Sequence, residues 1–280
     1  MPSRFRHFAA IDWSGAAGER HWGIALAVCA AHGGAPAIVW RGRRWSRQDI
    51  LDWLLTELPA DTLVGLDLGI SLPFADCGAF FPGWEDSPAD ARGLWRLVDE
   101  ISAGDAHLSV TGFVEHGPVS RYFRRHGRRE GDAFHHPVAE HRRGRFRVTE
   151  EAQAAMGCRP YSNFNLVGAA QVGKSSLSGM RVLHRLQGRL PVWPVDDLPA
   201  EGSVVVEIYT TIAALAGKRS VGTSKMRTFE ELNAALDVLG SPPVPGGGPI
   251  DDHSADALLT AAWLRTVAHR EELWHPRSMT

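Results

Sequence analysis

Short apolar runs open the chain, separated by Gly- and Ala-rich breaks. Residues 7–14, 22–29 and 37–40 each read as a strand, and the breaks between them suit hairpins. Ser46 followed by Asp49 is an approximate capping box. Behind it Ile50, Leu51, Leu54, Leu55 and Leu58 recur at helical spacing and define one apolar face. Pro59 and Asp61 end that helix, and another apolar run closes on Asp67. The opening order is therefore β-β-β-α-β. A helix between two strands implies a right-handed crossover and parallel neighbours.

The pattern then loosens. A Pro, Gly and aromatic stretch at 72–88 precedes a helical pattern at 90–102, carried by Leu94, Trp95, Val98 and Ile101. Beyond an Arg- and His-rich tract, the pattern predicts a helix at 174–188, a strand at 204–209 and a short helix near 211–216. Thr228 with Glu231 makes a second capping box, opening a helix through Leu239. Residues 241–249 are Pro- and Gly-rich and predict an irregular loop. The last helix is expected from about 253 to 270. These elements describe one α/β domain with a core of about 1–72 and 165–280 and an insertion at about 73–164.

Composition narrows the classes. The chain has 280 residues and a 44% hydrophobic fraction, enough for a substantial core. The formal net charge of -2 gives no global basic signal. The 3 cysteines, Cys29, Cys77 and Cys158, make neither a metal-ligand spacing nor a disulfide framework, which fits a reducing cytosol. No apolar run suggests a signal peptide or a membrane span. The reading is a soluble cytoplasmic protein with no membrane partner and an undetermined oligomeric state.

Four acids stand out. Asp12 lies on the first strand, Asp67 ends the fourth, Glu207 lies on the fifth, and Asp256 sits in the first turn of the last helix. An unpaired buried carboxylate loses its hydration, and a shared divalent cation is an economical compensator. If strand four pairs with strand one, Asp12 and Asp67 lie on strands about 4.8 Å apart. On the last helix Asp256, Leu259, Thr260, Trp263 and Val267 fall on one face, which should pack on the sheet. His253 is one turn earlier. The bland reading makes Asp252 an N-cap and leaves Asp256 to the helix dipole.

At these residues the chain resembles the RNase-H-like superfamily. The closing helix, with its His-x-x-Asp-Ala, is similar to that of RuvC-type junction resolvases. More narrowly, the chain resembles the predicted RNase-H-like nucleases grouped as domain of unknown function 429. The segments that carry the resemblance are Ala10-Ile-Asp-Trp-Ser-Gly15, Val64-Gly-Leu-Asp67 with Leu72-Pro73, Val167-Gly168 through Val172-Gly173 and Ser178-Gly-Met180, Val206-Glu-Ile-Tyr209 and Asp252-His-Ser-Ala-Asp-Ala257. Two departures are Gly69 and Thr210, where that family tends to have Pro. The resemblance implies a mixed sheet in the order 3-2-1-4-5, flanked by helices, with an inserted Arg-rich lobe. It also implies a nuclease hydrolysing phosphodiester bonds with two Mg²⁺ or Mn²⁺ ions. Asp12, Asp67, Glu207 and Asp256 would be the ligands and His253 would assist.

Two other motifs bear on phosphate. Gly168-Ala-Ala-Gln-Val-Gly173-Lys174-Ser175 has Walker A spacing in a chain whose lysines are Lys174, Lys218 and Lys225. The polar stretch before it is a poor strand, so the expectation is a tight loop whose following helix offers Gly173, Lys174 and Ser175 to a phosphate. Arg124, Arg125, Arg128, Arg129, Arg142 and Arg143, interleaved with aromatics, are candidate nucleic-acid contacts, against a reading as a solvated face. The histidines there, His116, His126, His135, His136 and His141, fit no zinc spacing. The alternatives to a nuclease are a non-catalytic RNase-H-like module binding nucleic acid or protein, and a P-loop-like nucleotide-binding protein using Gly168–Ser175.

Overall fold

The computed structural model describes residues 4–135, 144–168, 171–220, 222 and 224–276. Its central element is a mixed six-stranded sheet of β1 (His7–Asp12), β2 (Ala25–Ala30), β3 (Ala37–Ile38), β4 (Thr62–Leu66), β7 (Val192–Trp193) and β8 (Val204–Glu207). The order across the sheet is β3-β2-β1-β4-β8-β7. β2 is antiparallel to β1 and β3, while β1, β4, β8 and β7 run parallel. Five strands were expected. The sixth, β7, is two residues long and carries no periodicity to read.

The chain divides into two units. Unit 1 comprises Met1–Trp13, Arg20–Asp67 and Arg189–Thr280, and holds the whole sheet. Unit 2 comprises Ser14–Glu19 and Leu68–Gly188. The segment expected as an insertion at 73–164 lies within unit 2, where α6 (Val172–Arg185) packs on α2 (Ala91–Ile101).

In unit 1, helix α1 (Arg47–Thr56) starts at a complete capping box between Ser46 and Asp49. The long helix α9 (Asp252–Val267) lies against β1 and β2 and is flanked by α7 (Thr210–Ala216) and α8 (Phe229–Val238). Asp251, not Asp252, is its N-cap, accepting from the Ser254 amide at 2.9 Å. With neighbours on several sides, α9 buries Ala255, Ala257, Leu258, Leu259, Thr260, Ala261, Ala262 and Leu264. Trp263 and Val267, expected on the sheet-facing stripe, are only partly buried. That stripe instead carries Ala261, whose carbonyl accepts from the Cys29 thiol at 3.3 Å, and Leu264.

Small residues allow this close approach. A methyl at Gly65 would sit 2.6 Å from Ile208 Cγ2 and 3.1 Å from Leu264 Cδ1. The apolar core between sheet and helix includes Phe8, Ala10, Ala27, Leu63, Val206 and Ile208.

Unit 2 is held by aromatics and buried arginines. Phe81 meets Tyr122 and Phe164 edge-on. Arg145, 1% exposed, donates to Asp76 and to the carbonyls of Pro73, Ala79 and Phe80. It therefore organises the 73–80 loop. Arg181 is likewise buried and bonds Asp99 at 2.8 Å. Among the described residues, no helix is long and apolar enough to cross a membrane.

Gly65→Ala is expected to destabilise the protein by about 1–3 kcal/mol, since the added methyl overpacks a rigid contact. Gly247→Ala, where nothing lies within 4 Å, serves as the control and should change stability little. Urea unfolding of the two variants measures the contrast.

Candidate functional site

Parallel pairing aligns the ends of β1 and β4. Ile11 pairs with Leu66, and the Asp67 amide donates to the Ile11 carbonyl at 2.9 Å. Asp12 and Asp67 therefore follow one another's register, on the sheet face that carries Phe8, Ala10 and Leu63. Helix α9 covers this face and brings His253 and Asp256 to the same end.

Each member has defined neighbours. Asp12 is buried; its Oδ1 accepts from the Trp13 amide at 2.9 Å and its Oδ2 meets His253 Nδ1 at 2.6 Å. Thr210, the first residue of α7, donates its hydroxyl to Asp67 Oδ2 at 3.3 Å. Lys225 Nζ lies 3.5 Å from Asp256 Oδ2 and 3.4 Å from Asp252 Oδ2.

The electrostatics couple the three aspartates. Loss of hydration raises the Asp67 carboxyl well above its ordinary range, and repulsion from Asp12 and Asp256 pushes it further. Burial, then repulsion from Asp12, lifts Asp256 to about 6, against the pull of Lys225. The hydrogen bond to Asp12 raises His253 above its usual value despite partial burial. Lys225 is raised by Asp256, Asp252 and Asp12 together, which outweigh its own desolvation.

Glu207 is not part of this group. It pairs with Leu66, one residue short of Asp67, so its side chain stands on the other sheet face. Apolar Ile208 occupies the row of the acids, its amide bonded to the Leu66 carbonyl at 3.0 Å. The site therefore unites Asp12, Asp67, Asp256 and His253, and adds Lys225 and Thr210. Lys225 had one sequence signal, the scarcity of lysine. Thr210 had none in the spacing.

Among the described residues, no three His, Cys, Asp or Glu side chains form a ready-made metal cage. The donor chemistry nonetheless fits a hard divalent cation. Three carboxylates converge there, and their mutual repulsion is offset by Lys225 and, when protonated, by His253.

The phosphate motifs fare differently. No strand precedes the Walker-like segment; residues 161–167 form a turn with one bridge, from Asn165 to Arg124. Gly173 is a packing glycine, since a methyl there would sit 2.4 Å from the Asn163 carbonyl oxygen. The amides of Gly173 and Ser175 are already bonded to the carbonyls of Asn165 and Gln171. Lys174 and Ser175 lie partly exposed in the first turn of α6. A phosphate cradle needs free amides, and these two are not free.

Three described arginines of the tract have carboxylate partners. Arg121 chelates Asp132, Arg125 pairs with Glu115 at 2.7 Å and Arg124 with Glu130 at 3.4 Å. Arg129 bonds the His126 carbonyl at 3.4 Å. The backbone of Arg128 lies in the turn between the two-residue strands β5 (Arg124–Arg125) and β6 (Arg129–Glu130). Arg142 and Arg143, with His136 and His141, lie outside the described residues.

No protein-family model, curated protein or solved structure matches the chain.

These shifts fix a pH dependence. Native Asp256 holds its proton to about 6, whereas the unfolded group releases it near 3.8. Without metal, stability should therefore fall as pH rises from about 4 to about 6. His253 extends the trend: its stabilisation is complete below 6.5 and is lost as pH passes its higher folded value. Thermal unfolding in chelator across this range should show the decline, and Asp256→Asn should make its acidic part shallower, the remainder coming from Asp67. An unaltered profile in that variant would contradict the assignment.

Proposed function

We propose that Asp12, Asp67 and Asp256 bind divalent cations and that the protein hydrolyses phosphodiester bonds of nucleic acid on an RNase-H-like framework. The observation that carries this reading is the convergence of three carboxylates, from two adjacent parallel strands and one helix, at one end of the sheet. The framework reading is supported by a β3-β2-β1 antiparallel hairpin set continued by parallel β4 and β8. β7 is an edge strand beyond that pattern.

Asp12, Asp67 and Asp256 would hold Mg²⁺ or Mn²⁺. Bound there, the metal would supply an activated water and neutralise charge on the phosphoryl oxygens. The chain's own residues have definable tasks. Asp12 orients the His253 ring through Nδ1, leaving Nε2 to exchange a proton with solvent or substrate. Lys225 holds Asp256 in place and adds positive charge beside the acids. Thr210 fixes one oxygen of Asp67.

Two measurements test the reading. Asp12→Asn and Asp256→Asn should each lower Mn²⁺-dependent cleavage of a mixed RNA and DNA substrate panel by about a hundredfold or more while the fold persists. Mn²⁺ should also raise the unfolding temperature of the wild type more at pH 7.5 than at pH 5, where protons compete, and should do so little in Asp12→Asn. Undiminished cleavage in both variants would remove the site.

A further inference from the structure

Two tryptophans of unit 1 stand outside the core. Trp22 is 72% exposed and Trp40 is 63% exposed, the highest values among the large hydrophobic side chains described. Isolated apolar exposure is ordinary, but here two indoles come with arginines and at a particular end of the sheet. Asp12 pairs with Ala25, three residues after Trp22. β3 runs antiparallel to β2, and the Val39 amide bonds the Leu26 carbonyl at 2.8 Å. The chain leaving β3 through Trp40 therefore arrives at the end where β1 presents Asp12.

The two segments are tied together. The His21 amide bonds the Trp45 carbonyl at 3.0 Å, Arg20 Nη1 bonds the Arg44 carbonyl at 3.1 Å, and Trp45 Nε1 bonds the Val39 carbonyl at 3.2 Å. The guanidinium of Arg44 lies 3.1 Å above the centre of the Trp22 ring. Its neighbours are committed: Arg41 to Glu57, and Arg43 to Asp49 at 2.8 Å. Arg44 has no carboxylate partner among the described residues.

We propose that Trp22, Trp40 and Arg44 form a platform for a single-stranded segment of nucleic acid. Indole faces accept any base by stacking, and a guanidinium stacked on a ring keeps its N–H edge free for a phosphate. Bases within a duplex stack on one another and offer no open face, so the platform selects single strands. Its placement beside Asp12 as a substrate surface rests on the hydrolytic reading above.

The test is fluorescence anisotropy of a labelled oligodeoxythymidylate, measured in chelator so that nothing is cleaved. Trp22→Ala combined with Trp40→Ala should weaken binding by about 10- to 100-fold. The paired Phe variant should restore most of the affinity, and a duplex should bind more weakly than the single strand. Circular dichroism checks that the variants fold. Equal affinity in the Ala pair, or preference for duplex, overturns the platform. So does wild-type binding to phosphatidylserine vesicles with none to the oligonucleotide, which makes the patch a membrane contact. Cleavage unaffected by the Ala pair also removes the platform and leaves hydrolysis standing. Trp-dependent binding without cleavage on any substrate removes hydrolysis and leaves the platform.

Discussion

A carboxylate drawn out of water favours a cation or a proton, and Asp67 and Asp256 are held in that position beside buried Asp12 at one end of the unit 1 sheet. Desolvation raises both Asp67 and Asp256, and each is raised further by another member of the trio. Among the described residues, Lys225 and, when protonated, His253 bring positive charge beside them. Such an arrangement is costly for a merely structural cluster, because apolar residues of like volume would pack there without repulsion. The stability given up there is what motivates a functional reading.

The acids meet because the fold leaves them little freedom. Parallel pairing of β1 with β4 sets Asp12 beside Asp67, and the small residues beneath α9 let that helix descend close enough to add His253 and Asp256. The Trp13 amide then holds one oxygen of Asp12, and the hydroxyl and backbone amide of Thr210 hold the carboxylate of Asp67. The tryptophan-bearing turns join the same end because β2 and β3 run antiparallel to each other.

Local signals in the sequence were the readable ones. Ser46 with Asp49 makes the full capping box, and Thr228 caps its helix through the Glu231 amide while the Glu231 carboxylate accepts from the Arg227 amide; each is a contact made within four residues. Short breaks suited hairpins and one helix implied a crossover, while the order across the sheet was an implication of the resemblance. What failed depended on partners distant in the chain. Glu207 was grouped with the acids because it lies on a strand, but a one-residue register difference turned it to the opposite face. In the arginine tract, the pairing of Arg125 with Glu115 and of Arg121 with Asp132 is set by how the segment folds back, which spacing does not give. The Walker-like glycine proved to be a contact glycine, a role that spacing alone does not distinguish from phosphate binding.

The contact between Gly65 and α9 also makes the helix a lever. Leu264 rests near the pivot and His253 lies eleven residues toward the other end, roughly 16 Å along the axis. A slight tilt at the pivot becomes a larger sideways movement of the imidazole and of Asp256. Evolution could thus alter the spacing of the charged groups by trading methyl groups deep in the interior, leaving every polar residue unchanged.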